Sequence, residues 1–137
     1  MLKTFAAAAV TLAMLVGPAV AQDASGAGVV TAQLDAATNE LGLTPGARVT
    51  GRLAGSRSQM TNIQAPGGEV YFIGACDENC SDLDLIVRDS SGREVGRDTE
   101  LDDVPIVVVQ ATAGTYTVEV SMVSCSANCH WGVGVFR

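Results

Sequence analysis

From Val49 onward, apolar and polar positions alternate with a period of two. Tyr116, Val118, Val120 and Met122 fall on one side of their segment, and Thr115, Thr117, Glu119 and Ser121 on the other. Leu83, Leu85 and Val87 alternate with Asp84, Ile86 and Arg88 in the same way. In the last segment Trp131, Val133 and Val135 alternate with Gly132 and Gly134. Such alternation marks half-buried strands of an antiparallel sheet. The run PIVVVQ (105–110) is instead continuously apolar, which predicts a strand covered on both faces. ARVTGRL (47–53), RSQMTNIQ (57–64) and EVYFIGA (69–75) are weaker strand candidates. Turn residues separate these runs: Ala65-Pro66-Gly67-Gly68, Asp89-Ser90-Ser91-Gly92 and Ala113-Gly114. About eight short strands at this spacing predict an all-β domain over residues 46–137, a β-sandwich or barrel.

Upstream, the period changes. Val30, Leu34, Ala37 and Leu41 share one helical face, Gly42 offers a C-cap and Pro45 a stop. One short helix is therefore expected over 28–41. Its apolar stripe is narrow, and a helix of this length is marginal alone, so it requires a surface to dock on. Residues 22–28 are small and polar and read as a flexible tail, so that 22–45 form tail plus helix. Before them, Lys3, the apolar stretch Phe5–Val16, Gly17-Pro18 and Ala19-Val20-Ala21 have the form of a secretory signal peptide over 1–21. The apolar stretch is too short to span a membrane, so no membrane anchor is expected and the destination is periplasmic or extracellular.

Export changes how the remaining composition is read. After residue 21 the chain has no lysine, and seven arginines face fifteen carboxylates, a net charge of about −8. This argues against nucleic acid or an anionic membrane as partner and leaves a protein or a polysaccharide. Four cysteines in an exported domain are most simply two disulfides. They allow three connectivities. Pairing inside each C-x3-C loop constrains the unfolded chain by about 2 kcal/mol, and pairing between loops by nearer ~4 kcal/mol. The matched spacing favours the local pairs, Cys76–Cys80 and Cys125–Cys129. A redox motif would have C-x-x-C at a helix start, and the flanking acids here oppose a reactive thiol.

Two groups of carboxylates are candidates for chemistry. Asp77, Asn79, Asp82 and Asp84 lie within eight residues, and Asp98, Glu100, Asp102 and Asp103 form the second group. Calcium takes six to eight oxygen ligands, so Asp77, Asp82 and Asp84 are candidate calcium ligands, with the loop at 98–103 as a second contributor. The alternative is a solvated acidic edge, since Asp and Asn are ordinary turn residues. His130 is the only histidine, and no motif-borne nucleophile accompanies it, so no catalysis is expected. Tyr71, out of phase with Val70 and Phe72, is the aromatic expected to face outward and the candidate binding residue. Trp131 and Tyr116 fall with the inward valines.

Asp82-Leu83-Asp84-Leu85, Asp89-Ser90-Ser91-Gly92 and Gly114-Thr115-Tyr116 together resemble the pattern of the bacterial pre-peptidase C-terminal (PPC) domain. The similarity spans roughly residues 46–136, and the paired C-x3-C loops resemble a stand-alone exported form. The resemblance implies a jelly-roll-like antiparallel sandwich and a non-catalytic accessory role, with any carried-over calcium touching Asp82 and Asp84. The expected function is a non-catalytic exported binding or accessory protein, with a calcium-dependent binding module using the loops at 77–84 and 98–103 as the alternative.

Overall fold

A computed structural model describes residues 26–137. The leader expected over 1–21 lies outside the described residues, as does most of the tail. Helix α1 (Ala27–Leu41) is followed by β1 (Pro45–Ala54), β2 (Arg57–Ala65), β3 (Gly68–Cys76) and β4 (Cys80–Arg88). Then come β5 (Glu94–Asp98), β6 (Ile106–Ala111), β7 (Gly114–Cys125) and β8 (Asn128–Phe136). The strands form two four-stranded sheets, β1-β8-β3-β6 and β2-β7-β4-β5, with every neighbouring pair antiparallel. This strand order is that of a jelly roll.

The inner faces hold the residues that the alternation places there. Phe72, Leu83, Leu85, Val87, Val118, Val120, Met122, Trp131, Val133 and Val135 fill one buried cluster between the sheets. Gly51 faces Trp131 across β1 and β8, and a Cβ at that glycine would lie 2.7 Å from the indole. The indole therefore occupies the volume that a side chain at residue 51 would fill.

The helix docks on the outer face of the first sheet. Val30, Leu34 and Ala37 pack on Ile73, Ala75 and Phe136 as a second cluster. Gly132 makes the close approach feasible, because a Cβ there would stand 2.6 Å from Val30. The glycine half of the β8 alternation is thus the seat of the helix. Burying Val30 and Leu34 contributes roughly 1.5–3 kcal/mol each. Gly42, at φ 67°, ends the helix in the left-handed conformation.

One expectation is overturned. β6 is not covered on both faces: Val107 and Val109 point into the core, whereas Ile106 and Val108 are 39% and 51% exposed. The strand lies at the edge of its sheet. Its period of two is invisible in the sequence because both faces carry β-branched apolar residues.

The connections β1–β2, β3–β4, β5–β6 and β7–β8 all cross from one sheet to the other. They gather at one end of the sandwich, tied by Asn79 O accepting from Ser126 N (3.0 Å) and Pro105 O from Gly74 N (2.9 Å). At the far end, the Tyr116 hydroxyl accepts from Thr112 N and donates to Thr112 O, both at 3.1 Å. The candidate chemistry lies at the first end.

Candidate functional site

Two of the four corners at this end carry the cysteines. Cys76 is disulfide-bonded to Cys80 across the β3–β4 corner, and Cys125 to Cys129 across the β7–β8 corner. Each bond therefore joins a strand of one sheet to a strand of the other, and Cys80 and Cys125 face each other in register. All four thiols are oxidised, and none remains to act as nucleophile or soft metal ligand.

Asp77 lies inside the first corner and is only 3% exposed. Its Oδ1 accepts from Asn79 N at 3.0 Å, and its Oδ2 accepts from His130 N at 2.8 Å. Its own backbone N–H donates to His130 O at 3.1 Å. The carboxylate thus ties one cysteine corner to the strand leaving the other, with both oxygens occupied by backbone donors. That role is compatible with the composition of the loop but has no signature that distinguishes it from a ligand role.

The second carboxylate group is assembled by the β5–β6 corner, residues 99–105. Asp98, Glu100 and Asp102 each present an oxygen within 4.8 Å of the others. Asp98 accepts from Glu100 N (3.1 Å) and Ile106 N (2.9 Å), and Asp102 Oδ1 accepts from Val104 N (3.0 Å). These bonds shape the loop so that Leu101, 85% exposed, points outward while the acids turn together. The start of β4 lies alongside, because Leu83 N donates to Asp102 O at 2.9 Å.

That contact brings Asp82 and Asp84 beside the loop. Asp82 is 6% exposed, and its Oδ1 receives no hydrogen bond; Asp84 Oδ1 is likewise buried without a donor. Burial, followed by the negative charges of Asp82 and Asp98, a hydrogen bond shared with the Asp82 side chain and the charge of Asp102, raises the Asp84 carboxyl above its ordinary value. None of the four ion pairs among the described residues touches this cluster. They join Arg48 to Asp35, Arg88 to Glu119, Arg93 to Asp89 and Arg97 to Glu94. Asp103 belongs to the same corner but not to the triad.

The other candidates lie elsewhere. The Tyr71 ring packs beside the helix cluster, half-buried, and its hydroxyl donates to Glu69 at 3.0 Å. His130 lies against the start of α1, where a Cβ on Gly26 would stand 2.3 Å from the imidazole. Its backbone, rather than its ring, holds Asp77. Trp131 and Tyr116 are core residues.

Sequence reading missed one surface feature. Between α1 and the edge of the first sheet runs a groove of about 300 Å³, lined by Ala36, Ala37, Leu41, Ile73, Val104 and Ile106, with Glu40 at its rim. It went unseen because 105–110 was assigned cover on both faces.

No family model and no curated protein matches the sequence. Among solved structures, the chain is similar to PliG of Aeromonas hydrophila, a periplasmic inhibitor of g-type lysozyme. The two are 15% identical over 66% of this chain and 85% of that one, with a TM-score of 0.47. A carbohydrate-binding module, CBM36, in complex with calcium and xylotriose, is 15% identical over 69% of this chain and 92% of that one, with a TM-score of 0.32. Likeness at this level transfers no residue role from either protein.

Proposed function

We propose that the chain is a non-catalytic exported binding protein of the PPC-like kind, which holds a protein partner in the groove between α1 and β6. The observation that carries this reading is the apolar lining left open there: Leu41, Val104, Ile106 and Val108 are all exposed along one side of the sandwich. Contiguous exposed apolar surface on a small soluble domain marks a contact site. Glu40 at the rim and the acidic net charge favour a partner whose apolar contact is bordered by basic residues. The disulfide-closed corners support export, since such bonds persist in oxidising compartments. In support of the PPC resemblance, Asp82–Leu85 lie in β4, Asp89–Gly92 in the β4–β5 turn and Gly114–Tyr116 at the start of β7. The absence of catalysis is supported by the engagement of the reactive groups, with the cysteines oxidised, Asp77 saturated and His130 set against the helix start.

A photo-crosslinking residue at position 106 or 108, in the protein expressed in its exporting cell, should give one discrete heterologous adduct. The same group at Met60, exposed on the other sheet, should not. Ile106→Glu should abolish binding of the captured protein in a purified assay. Equal adducts at all positions, none at 106 and 108, or an adduct of two copies of this chain would overturn the reading.

A further inference from the structure

We propose that the partner enters as an extended strand with a basic residue at each end, which pairs with the free edge of β6 and continues the sheet β1-β8-β3-β6. This rests on the reading of that side of the sandwich as a protein contact and adds the form of the partner.

The backbone states the form. Gly74 N donates to Pro105 O at 2.9 Å, so these two residues are a hydrogen-bonded pair at the start of the β3–β6 ladder. Alternation along an antiparallel ladder then gives the bonds to residues 107, 109 and 111, opposite Phe72, Val70 and Gly68. Ile106, Val108 and Gln110 turn their N–H and C=O groups the other way, toward the open edge. Ile106 N bonds Asp98 Oδ2 on β5 at 2.9 Å, which fixes the same phase. Among the described residues, nothing bonds the N–H of Val108 or of Gln110. An added strand therefore meets the N–H and C=O groups of both residues in ladder spacing.

The four sheet edges are not alike. β1 has a register shift between Pro45 and Arg48 and carries Arg48 and Arg52. β2 spends Ser58, Asn62 and Gln64 on side-chain bonds to β7. β5 is five residues long and holds the Arg97–Glu94 ion pair. Charges, bulges and shortness are how edges are kept from pairing. β6 has none of them: it is IVVVQA, with no charge and no proline, and Ile106 and Val108 are exposed on its outer face. A strand laid about 4.8 Å beyond it sets its own outward side chains beside these two, extending the apolar surface.

Charge selects the occupant. Two copies of β6 paired antiparallel about a two-fold would set the Ile106 end of each beside the Gln110 end of the other. The first end is bordered by Asp98, Glu100 and Asp102, and the second by Glu69, which faces Gln110. Carboxylates at both ends repel a second copy and favour a strand from another protein with a cation at each end.

The test uses the full-length exported protein with its disulfides intact and a dye-labelled synthetic peptide, Lys-Val-Thr-Val-Thr-Val-Lys, with blocked ends. Fluorescence anisotropy should show saturable binding. N-methylation of alternate peptide amides keeps every side chain and removes donors from one edge of the peptide at a time. One phase should weaken binding about tenfold or more, and the other should leave it nearly intact. Val108→Pro deletes a free N–H at an edge, where proline is tolerated, and should also weaken binding about tenfold, with Val108→Thr within about threefold of the parent. In the exporting cell, Val108→Pro should likewise remove the adduct formed by a crosslinker at position 106. No peptide binding, an equal effect of the two methylation phases, or a dimer of the protein that Val108→Pro dissociates would overturn the proposal. An adduct at 106 that survives Val108→Pro keeps the protein contact and overturns strand addition alone, whereas no adduct in the parent overturns both.

Discussion

Asp77 and Asp82 are five residues apart, both acidic and both almost wholly buried, yet their surroundings are opposite. Asp77 sits in a corner where two backbone N–H groups converge on its two oxygens. Asp82 sits where the strand has begun, with the Asp84 side chain beside it and Oδ1 left without a donor. Burial alone therefore says little about a carboxylate. What separates a structural tie from a bare carboxylate is whether the fold supplies donors, and that depends on corners far apart in sequence.

The contrast makes the largest effect fall on the saturated group. Asp77→Ala orphans Asn79 N and His130 N together and removes two charge-assisted bonds, so stability should drop by about 3 kcal/mol. Urea unfolding should report this as a lower midpoint with an unchanged slope. Replacing Cys125 and Cys129 together by alanine removes a five-residue loop closure and should cost about 2 kcal/mol in the same assay.

At the bare end the sign reverses. Near pH 7, Asp84→Asn should raise Tm, because it deletes a buried charge that its neighbours repel. Asp84 holds its proton more tightly in the folded chain than in the unfolded one, so it destabilises the fold above its raised pKa. That penalty disappears as pH falls towards the ordinary value of 3.8. The gain from Asp84→Asn should fade over the same interval in calorimetry. A loss of stability at neutral pH would place Asp84 with Asp77 and dissolve the comparison. The smallest effect belongs to His130→Gln, within about 1 kcal/mol of the parent, since Asp77 is held by the backbone of residue 130 and not by its ring.

Much of the sandwich was legible because its strands obey one rule. Wherever one face was polar, as in Thr115–Met122 or Leu83–Arg88, alternation placed the inward residues as the structure has them. The rule failed at 105–110, where an edge strand carries valine and isoleucine on both sides, and the apolar groove was lost with it. The helix was visible from its spacing, and its seat on Gly132 was not, since a glycine in a strand announces only that something comes close. For the carboxylates, composition singled out both loops. Which acids lie side by side depends on Leu83 N meeting Asp102 O, a pairing between segments nineteen residues apart with no local signature.

The two cysteine corners act like the sewn spine of a book. Each stitch fastens a page of one sheet to a page of the other, and both lie at the same end. At the opposite margin the β2–β3 and β6–β7 connections join the sheets, and Tyr116 clasps Thr112 there. The end that carries the stitches is thus tied twice, by the chain and by sulfur, and the other end by the chain alone.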